Sequence, residues 1–429
     1  MKAYIRNENC ELSVVLFLIW STTIILNIRS HSSWVYLSVW ILTAIIGILY
    51  CNKENLSFSL LEKNWFIFVI FTVVSTLINS LMNRYAQFNQ ASPIITELRI
   101  YVFPLLAIFL LTKKCDKLTF LIIYRNFVSF FSLLGLFEIV THNQFYSKWI
   151  TSLVAKNNFQ IYGNISLADY RTTLIFYHPY FYSVILVIFL ICLLYIPFKN
   201  KFFQISFFIL GIINLLFTQT RASWISFLIV LLLFLTKNNK RESRYINLIK
   251  LMLIILLIIL FTNYIVNAIP GLPESMNKII YSRINVLFNG NIDQASGARL
   301  GQLNLIQHNN TFALKLIGGG ENYAINILQI YPVNGWNLSI DNQYLMTYMD
   351  YGLIGLSIYL IFVFNSFKYF FKTTSKLDNA IALSLISILI SSIFFSTYKQ
   401  SEINYLMFIL IGLTGANSPI NDLKEEIYE

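Results

Sequence analysis

Residues 202–217 read FFQISFFILGIINLLF, and the chain is apolar again from Trp224 to Leu235 after a short polar turn. Two such runs separated by a turn are typical of neighbouring membrane helices. The turn contains Arg221, whose guanidinium costs from about 2.5 to more than 10 kcal/mol at membrane depth. Either Arg221 grips an anion such as phosphate through its planar fork, or it lies at a helix end, stacks on Trp224 and reaches the lipid headgroups.

The whole chain shares this apolar character. Of its 429 residues, 57% are hydrophobic and 12% are charged, whereas soluble proteins carry about 25% charged residues. The apolar runs predict an all-α, polytopic membrane protein with about twelve transmembrane helices. These helices are predicted at residues 12–28, 34–51, 65–82, 94–112, 118–140, 179–197, 202–218, 222–236, 248–268, 342–364, 380–397 and 403–415.

Basic residues alternate between the predicted loops. Every second loop contains several Lys or Arg, most densely at 237–250, whereas the short loops between them hold single charges such as Arg29 and Arg84. This pattern follows the positive-inside rule and predicts that both termini are cytoplasmic. The net charge of +11 therefore indicates loops beside anionic membrane lipid and argues against a nucleic-acid partner.

Two predicted external segments are long, residues 141–178 and residues 269–341. Both are rich in Arg, Asn and Tyr, whereas the larger cytoplasmic loops are short and merely basic. We therefore expect one integral membrane domain, residues 1–429, whose chemistry lies on the outer face.

The second external segment is predicted to be partly helical. Residues 298–308 have helical spacing and predict an amphipathic helix on the membrane, which ends before Gly318–Gly320. Residues 321–340 are polar and aromatic. Such a surface suits sugars, which stack on rings and bond to amides, but it is also typical of an interfacial aromatic belt.

The cysteines and histidines predict neither disulfides nor a metal site. The four cysteines fall at or near predicted cytoplasmic helix ends, and the four histidines lack the spacing of metal ligands. Glycine patterns of nucleotide-binding loops are also missing from the sequence. We therefore expect no cofactor and no metal.

Several short runs share polar residues and glycines in a distinctive order. They are TQTRASW at 218–224, SGARLGQL at 296–303, the glycines Gly318–Gly320, and DNQYLMTYMDYGLIGL at 341–356. Together with Glu138 and the stretch from Arg171 to His178, these runs resemble the bacterial O-antigen polymerase and O-antigen ligase superfamily. The resemblance covers roughly residues 95–365.

The resemblance implies a glycosyltransferase on the outer face of the bacterial cytoplasmic membrane. Its implied partners are an undecaprenyl-diphosphate-linked oligosaccharide, membrane lipid and a chain-length regulator protein. Ligases of the family carry a His before the Asn-x-Tyr-Leu run, and here that position is Asp341. This difference favours a polymerase of O-antigen, capsular or exopolysaccharide repeat units over a ligase.

The resemblance also implies roles for individual residues. Arg221 and Arg299 would stabilise the departing lipid diphosphate, and Asp341 would act as the base or orient a sugar hydroxyl. The residues implied to bind substrate are Arg171, Arg283, His178, Asn342, Tyr344 and Glu138.

Simpler interpretations remain open at several of these positions. Arg299 can be a surface cation paired with Asp293, and Asp341 can cap the tenth helix. His178 can be a hydrogen-bonded interfacial residue. Asp350 is expected to need a partner in that helix, and Gly352 and Gly355 are expected to allow close helix contacts. Arg283 is expected to be structural or to face lipid.

Rival functions make different predictions about the loops. A flippase or transporter of lipid-linked sugars should place its charges in a central cavity and have short loops on both sides. A peptidoglycan glycosyltransferase should have fewer spans and other loop motifs. Two long loops, both on the outer face, favour an enzyme of the polymerase and ligase type over a flippase.

Overall fold

The structure is a computed structural model that describes residues 2–29, 40–48, 57–84, 93–141, 171–238, 301–397 and 401–416, apart from residues 42, 46, 177 and 334–338. The elements within these ranges are helices. In chain order they are α1 (Lys2–Arg29), α2 (Leu60–Leu81), α3 (Pro93–Thr112), α4 (Lys117–Thr141), α5 (Pro179–Tyr195), α6 (Lys201–Phe217), α7 (Arg221–Asn238), a 3₁₀ helix (Gln302–His308), α8 (Phe312–Ile317), α9 (Tyr323–Ile330), α10 (Gln343–Lys372), α11 (Lys376–Ser391) and α12 (Ser401–Thr414).

Four described helices, α2, α3, α4 and α10, are long and apolar enough to cross a membrane. Shorter apolar helices include α5, α6 and α12. The prediction of an all-helical membrane protein is therefore confirmed. The helix predicted at 248–268 lies outside the described residues, and that at 34–51 lies only partly within them, so a total of twelve spans stays a prediction.

The centre of the bundle is formed by helices that are buried on almost all sides. Nearly every residue of α5 and α11 is buried, as is every residue of α12 from Glu402 to Leu413. α11 packs against α5, α7, α10 and α12, so it is the hub of the bundle.

One end of the bundle gathers the helix ends that the charge pattern predicts to be cytoplasmic. Lys113 Nζ lies 2.7 Å from Glu62 Oε2 and joins α3 to α2. Lys117 Nζ lies 2.8 Å from Asp378 Oδ1 and joins α4 to α11. Buried ion pairs of this kind hold a specific arrangement, because separating one leaves a buried charge uncompensated.

α10 is sharply broken at Gly352, where φ is 66° and ψ is −166°. We call residues 343–351 α10a and residues 353–372 α10b. The halves fold back on each other, because the rings of Tyr344 and Tyr359 are 5.3 Å apart, whereas fifteen residues of straight helix span about 22 Å. The helix predicted in this region is therefore present, but it is not straight.

The residues around the broken helix form a second hydrophobic core. Its buried members come from the 3₁₀ helix, α8, α9, the segment before α10, and α10a: Leu305, Leu314, Tyr323, Ala324, Ile327, Leu328, Ile340, Leu345, Met346 and Met349. Much of the predicted second external segment is thus a packed unit. Within the described residues, the part of the predicted amphipathic α-helix from Gln302 to His308 is a 3₁₀ helix.

Candidate functional site

Arg221 is the first residue of α7 and follows a tight turn. Within the turn, Gln219 adopts the left-handed conformation, with φ of 52°. Trp224 Nε1 donates to the Leu215 carbonyl at 2.9 Å, and the Ser223 hydroxyl lies 2.6 Å from that of Ser183. The other polar residues of the TQTRASW run thus hold the turn together, and Arg221 is half-buried at the start of α7.

The stretch that begins at Arg171 packs against this turn. The Thr172 N–H donates to the Phe217 carbonyl at 3.2 Å. The buried Glu138 carboxylate accepts the N–H groups of Thr173 and Leu174, at 3.5 and 3.2 Å. Glu138 thus orients the backbone after Arg171, and its predicted role in substrate binding stays a prediction.

His178 is the N-cap of α5, where its Nδ1 accepts the Tyr180 N–H at 3.2 Å. Burial lowers the pKa of His178 from 6.5 to about 4, and the positive charge of Arg171 lowers it as well. The imidazole is therefore neutral at pH 7. Because Nδ1 is an acceptor, the proton lies on Nε2, which can donate a hydrogen bond. The interpretation of His178 as a hydrogen-bonded residue is thus supported.

Asp341 is tied to the 3₁₀ helix by an amide clamp. The buried Gln302 side chain accepts the Asp341 N–H at 2.9 Å and donates to the Ser339 carbonyl at 3.0 Å. The Ser339 hydroxyl donates to the Asp341 carboxylate at 3.1 Å. Gln302 belongs to the SGARLGQL run, so the structure brings two of the family-like runs together.

The cap of α10 is Asn342, whose side chain accepts the Leu345 N–H at 2.9 Å. The interpretation of Asp341 as the capping residue is therefore wrong: Asp341 lies one residue before the cap. Tyr344 donates its hydroxyl to the Leu389 carbonyl at 3.1 Å and anchors α10a on α11. Asn342 and Tyr344 thus have structural contacts, and their predicted role in substrate binding stays a prediction.

A short relay of contacts joins Asp341 to the His178 region. The Gln343 N–H donates to the Ser392 carbonyl at 3.0 Å. Three residues further on, the Phe395 ring stacks on His178 with centroids 5.7 Å apart. The start of α10 and the start of α5 therefore meet at one end of the bundle, around the turn that follows α11.

The glycine-rich run supports the break in α10. The break leaves the last carbonyls of α10a without their helical partners. Gly319 N–H donates to the Met349 carbonyl at 3.0 Å, and Gly320 N–H to the Asp350 carbonyl at 2.6 Å. A Cβ on Gly318 would lie 2.3 Å from Asp350 main-chain atoms. These glycines allow two backbones to touch.

Asp350 and Gly352 are explained by the same contact. The buried Asp350 carboxylate accepts the Ala324 N–H at 2.7 Å, so it caps the start of α9 from a neighbouring helix. The expectation that Asp350 needs a partner is confirmed. Gly352 does more than permit helix contact, because its positive φ creates the break itself.

Sequence reasoning found nothing specific in the first three helices, yet α2 has a polar stripe that holds the glycine run. Ser75 donates to the Ile317 carbonyl at 2.6 Å, and Asn79 donates to the Gly318 carbonyl at 3.1 Å. Next to them, Tyr351 donates to the buried Glu321 carboxylate at 2.5 Å. The spacing of the buried polar residues was the available signal: Thr72, Ser75, Thr76 and Asn79.

Arg299 and Arg283 lie outside the described residues, as does most of the first long external segment. Their assignment to the site stays a prediction. In the part of the chain that is described, no three His, Cys, Asp or Glu side chains cluster as metal ligands.

The sequence that forms these contacts can be compared with known protein families. Residues 205–360 match the family model described as O-antigen ligase. This match, over about a third of the chain, supports the resemblance to the O-antigen ligase and polymerase superfamily. No curated protein matches the chain. The matched O-antigen ligase region begins in α6 and ends in α10b, so it includes Arg221, the glycine run and Asp341, and excludes Glu138 and His178.

Proposed function

We propose that this protein polymerises lipid-linked oligosaccharide repeat units. It transfers a glycan from undecaprenyl diphosphate to an acceptor repeat unit at the outer face of the cytoplasmic membrane. The match of residues 205–360 to the O-antigen ligase model supports glycosyl transfer in general. Asp341, in place of the ligase histidine, favours polymerisation, while the matched model's description keeps O-antigen ligation as the second candidate.

The observation that carries the proposal is the position of Arg221. A guanidinium at the first residue of α7 lies at the positive end of the helix dipole and adds to its positive potential. A helix N-terminus beside an Arg fork suits a diphosphate, since both attract negative charge. Neutral His178 can add a hydrogen bond from Nε2.

The proposed glycosyl transfer uses the side chains at the end of the bundle where Arg221 lies. A hydroxyl oxygen of the acceptor sugar bonds to the anomeric carbon of the donor, while the bond from that carbon to the diphosphate oxygen breaks. Arg221, together with Arg299, stabilises the charge that develops on the diphosphate. Asp341 takes the hydroxyl proton or orients the hydroxyl. Arg171 and Arg283 bind the donor.

The proposed topology places this chemistry on the outer face of the cytoplasmic membrane. Twelve spans leave both termini and the Lys-rich helix ends in the cytoplasm. Residues 1–429 form one membrane domain, with long external segments at 141–178 and 269–341. A chain-length regulator would contact this outer face.

The test is polymerisation by the purified protein in nanodiscs with lipid-linked repeat units, EDTA and no ATP. We expect polymer, because the donor diphosphate is itself the activated leaving group. Loss of activity with chelator and its return with Mg²⁺ or Mn²⁺ would contradict metal independence. Transfer to another added acceptor with no polymer would identify a ligase, and flipping without transfer would identify a transporter.

A further inference from the structure

The 3₁₀ helix Gln302–His308 has three distinct faces, because side chains three residues apart eclipse one another. Gln302 and Leu305 are buried on the first face, which ends at the half-buried His308. Leu303 and Ile306 are exposed on the second. Asn304 and Gln307 are exposed on the third.

His308 forms an aromatic stack with Tyr331 at the end of the first face. The two rings have centroids 4.2 Å apart and planes 17° apart. Tyr331 ends α9 by donating its N–H to the Ile327 carbonyl at 2.8 Å, and Tyr323 donates its hydroxyl to the His308 carbonyl at 3.4 Å. The stack is therefore held by two helix ends, while 50% of Tyr331 is exposed.

The exposed side chains of residues 301–333 include several amides and little charge. Lys315 is the single exposed charged side chain of residues 301–333. The exposed polar side chains of the same residues also include four amides and one hydroxyl: Asn304, Gln307, Asn310, Gln329 and Thr311. An open aromatic face beside amides is suited to a sugar, whose apolar face packs on a ring while its hydroxyls bond to amides.

We propose that the His308–Tyr331 stack and the Asn304–Gln307 face form a subsite for the saccharide of the acceptor repeat unit. The proposal rests on the proposed function. His308 lies six residues from Gln302, or about 12 Å along the 3₁₀ helix, and Gln302 holds Asp341. A short oligosaccharide on Tyr331 can therefore present its terminal hydroxyl to Asp341.

The experiment uses the full-length protein in nanodiscs and, as probe, the repeat-unit oligosaccharide released from the polymer of the producing cells. We expect Tyr331→Ala to raise the probe's Kd and the acceptor KM about tenfold. The kcat should stay within about twofold, because the stack is far from the reacting atoms. Tyr331→Phe should retain wild-type values, since it keeps the ring.

Phe312→Ala is the matched control, because Phe312 is 78% exposed in the same unit but lies off the stack. A Kd within twofold of wild type for Tyr331→Ala would overturn the subsite, as would an equal loss in Phe312→Ala. If wild type bound the probe but formed no glycosidic bond, the proposed function would fail and the subsite would stand.

Discussion

Two clusters at the same end of the bundle correspond to family-like motifs, but they are built differently. The kink cluster, Gly318–Glu321 with Met349–Gly352, is held mainly by backbone contacts between two segments. The turn cluster, Glu138 with Arg171–His178 and Phe217–Arg221, brings a carboxylate, arginines and an imidazole to one place. Motif residues of the first cluster are thus explained by backbone contacts, as is Glu138 in the second, whereas the arginines of the second cluster are candidates for binding an anion.

The difference follows from what each kind of residue supplies. Glycine supplies conformations and close approach that other residues cannot adopt, so its replacement harms folding first. A half-buried arginine in a membrane protein raises the cost of folding and by default marks a functional site. Substitutions in the kink cluster should therefore reduce stability, and those in the turn cluster should reduce activity.

The largest effect is expected for Gly352→Ala. A backbone with φ of 66° and ψ of −166° is strained for any residue with a Cβ, by about 1–3 kcal/mol. The new Cβ would also lie 2.3 Å from the Leu316 carbonyl oxygen. We expect little monodisperse protein in size-exclusion chromatography. Gly211→Ala is the control, because its Cβ would meet only side chains. Normal yield and Tm for Gly352→Ala would refute the structural role of the break.

Arg221→Ala and Arg299→Ala should each abolish long-chain polymer while the protein still accumulates in the membrane. Lysine should rescue poorly, because a bidentate grip on the diphosphate requires the planar fork. Polymer length on gels and protein abundance on immunoblots are the measurements. Lys201→Ala, at the opposite end of α6, should behave as wild type. Near-normal polymer from both alanine variants would rule out the diphosphate assignment.

Asp341→Asn should lower single-turnover transfer by about 10²- to 10⁴-fold if Asp341 is the base, because an amide cannot take the proton. The structure sharpens this test, since Asn342 caps α10 and the Asp341 N–H bond to Gln302 survives the substitution. Donor binding should be unchanged. A rate within a few-fold of wild type across pH would remove Asp341 from proton transfer.

The smallest effect is expected for His178→Asn, which keeps a capping acceptor for the Tyr180 N–H. The pKa of His178 is lowered to about 4 in the folded protein, from 6.5. As the pH falls from about 6.5 towards 4, the unfolded chain binds a proton at His178 that the folded chain does not bind. The free energy of unfolding therefore declines. Each pKa unit corresponds to about 1.4 kcal/mol.

The corresponding measurement is Tm in detergent between pH 7 and pH 4. Wild type should lose more stability over this range than His178→Asn, and the two should converge in slope above pH 7. Parallel curves of Tm against pH for the two proteins would contradict a neutral imidazole at His178 in the folded protein.

Much of this architecture is determined by the sequence itself. A long apolar run can satisfy the hydrogen bonds of its backbone in a bilayer only as a helix. The positions of the helices therefore follow from the positions of the apolar runs. The ends of α2, α4, α5, α6 and α7 lie within a few residues of the predicted bounds. The order of the polar runs likewise indicated the superfamily, because those residues are neighbours along the chain.

Tertiary structure decided which of these residues touch. The break at Gly352, the docking of Gly318–Gly320 and the clamp from Gln302 to Asp341 join segments far apart in sequence, where local periodicity carries no information. The polar stripe of α2 has a function only once a partner backbone lies against it. Whether a polar residue in a membrane protein is structural or chemical therefore depends on its spatial neighbours, because burial and hydrogen bonding determine what its charge can do.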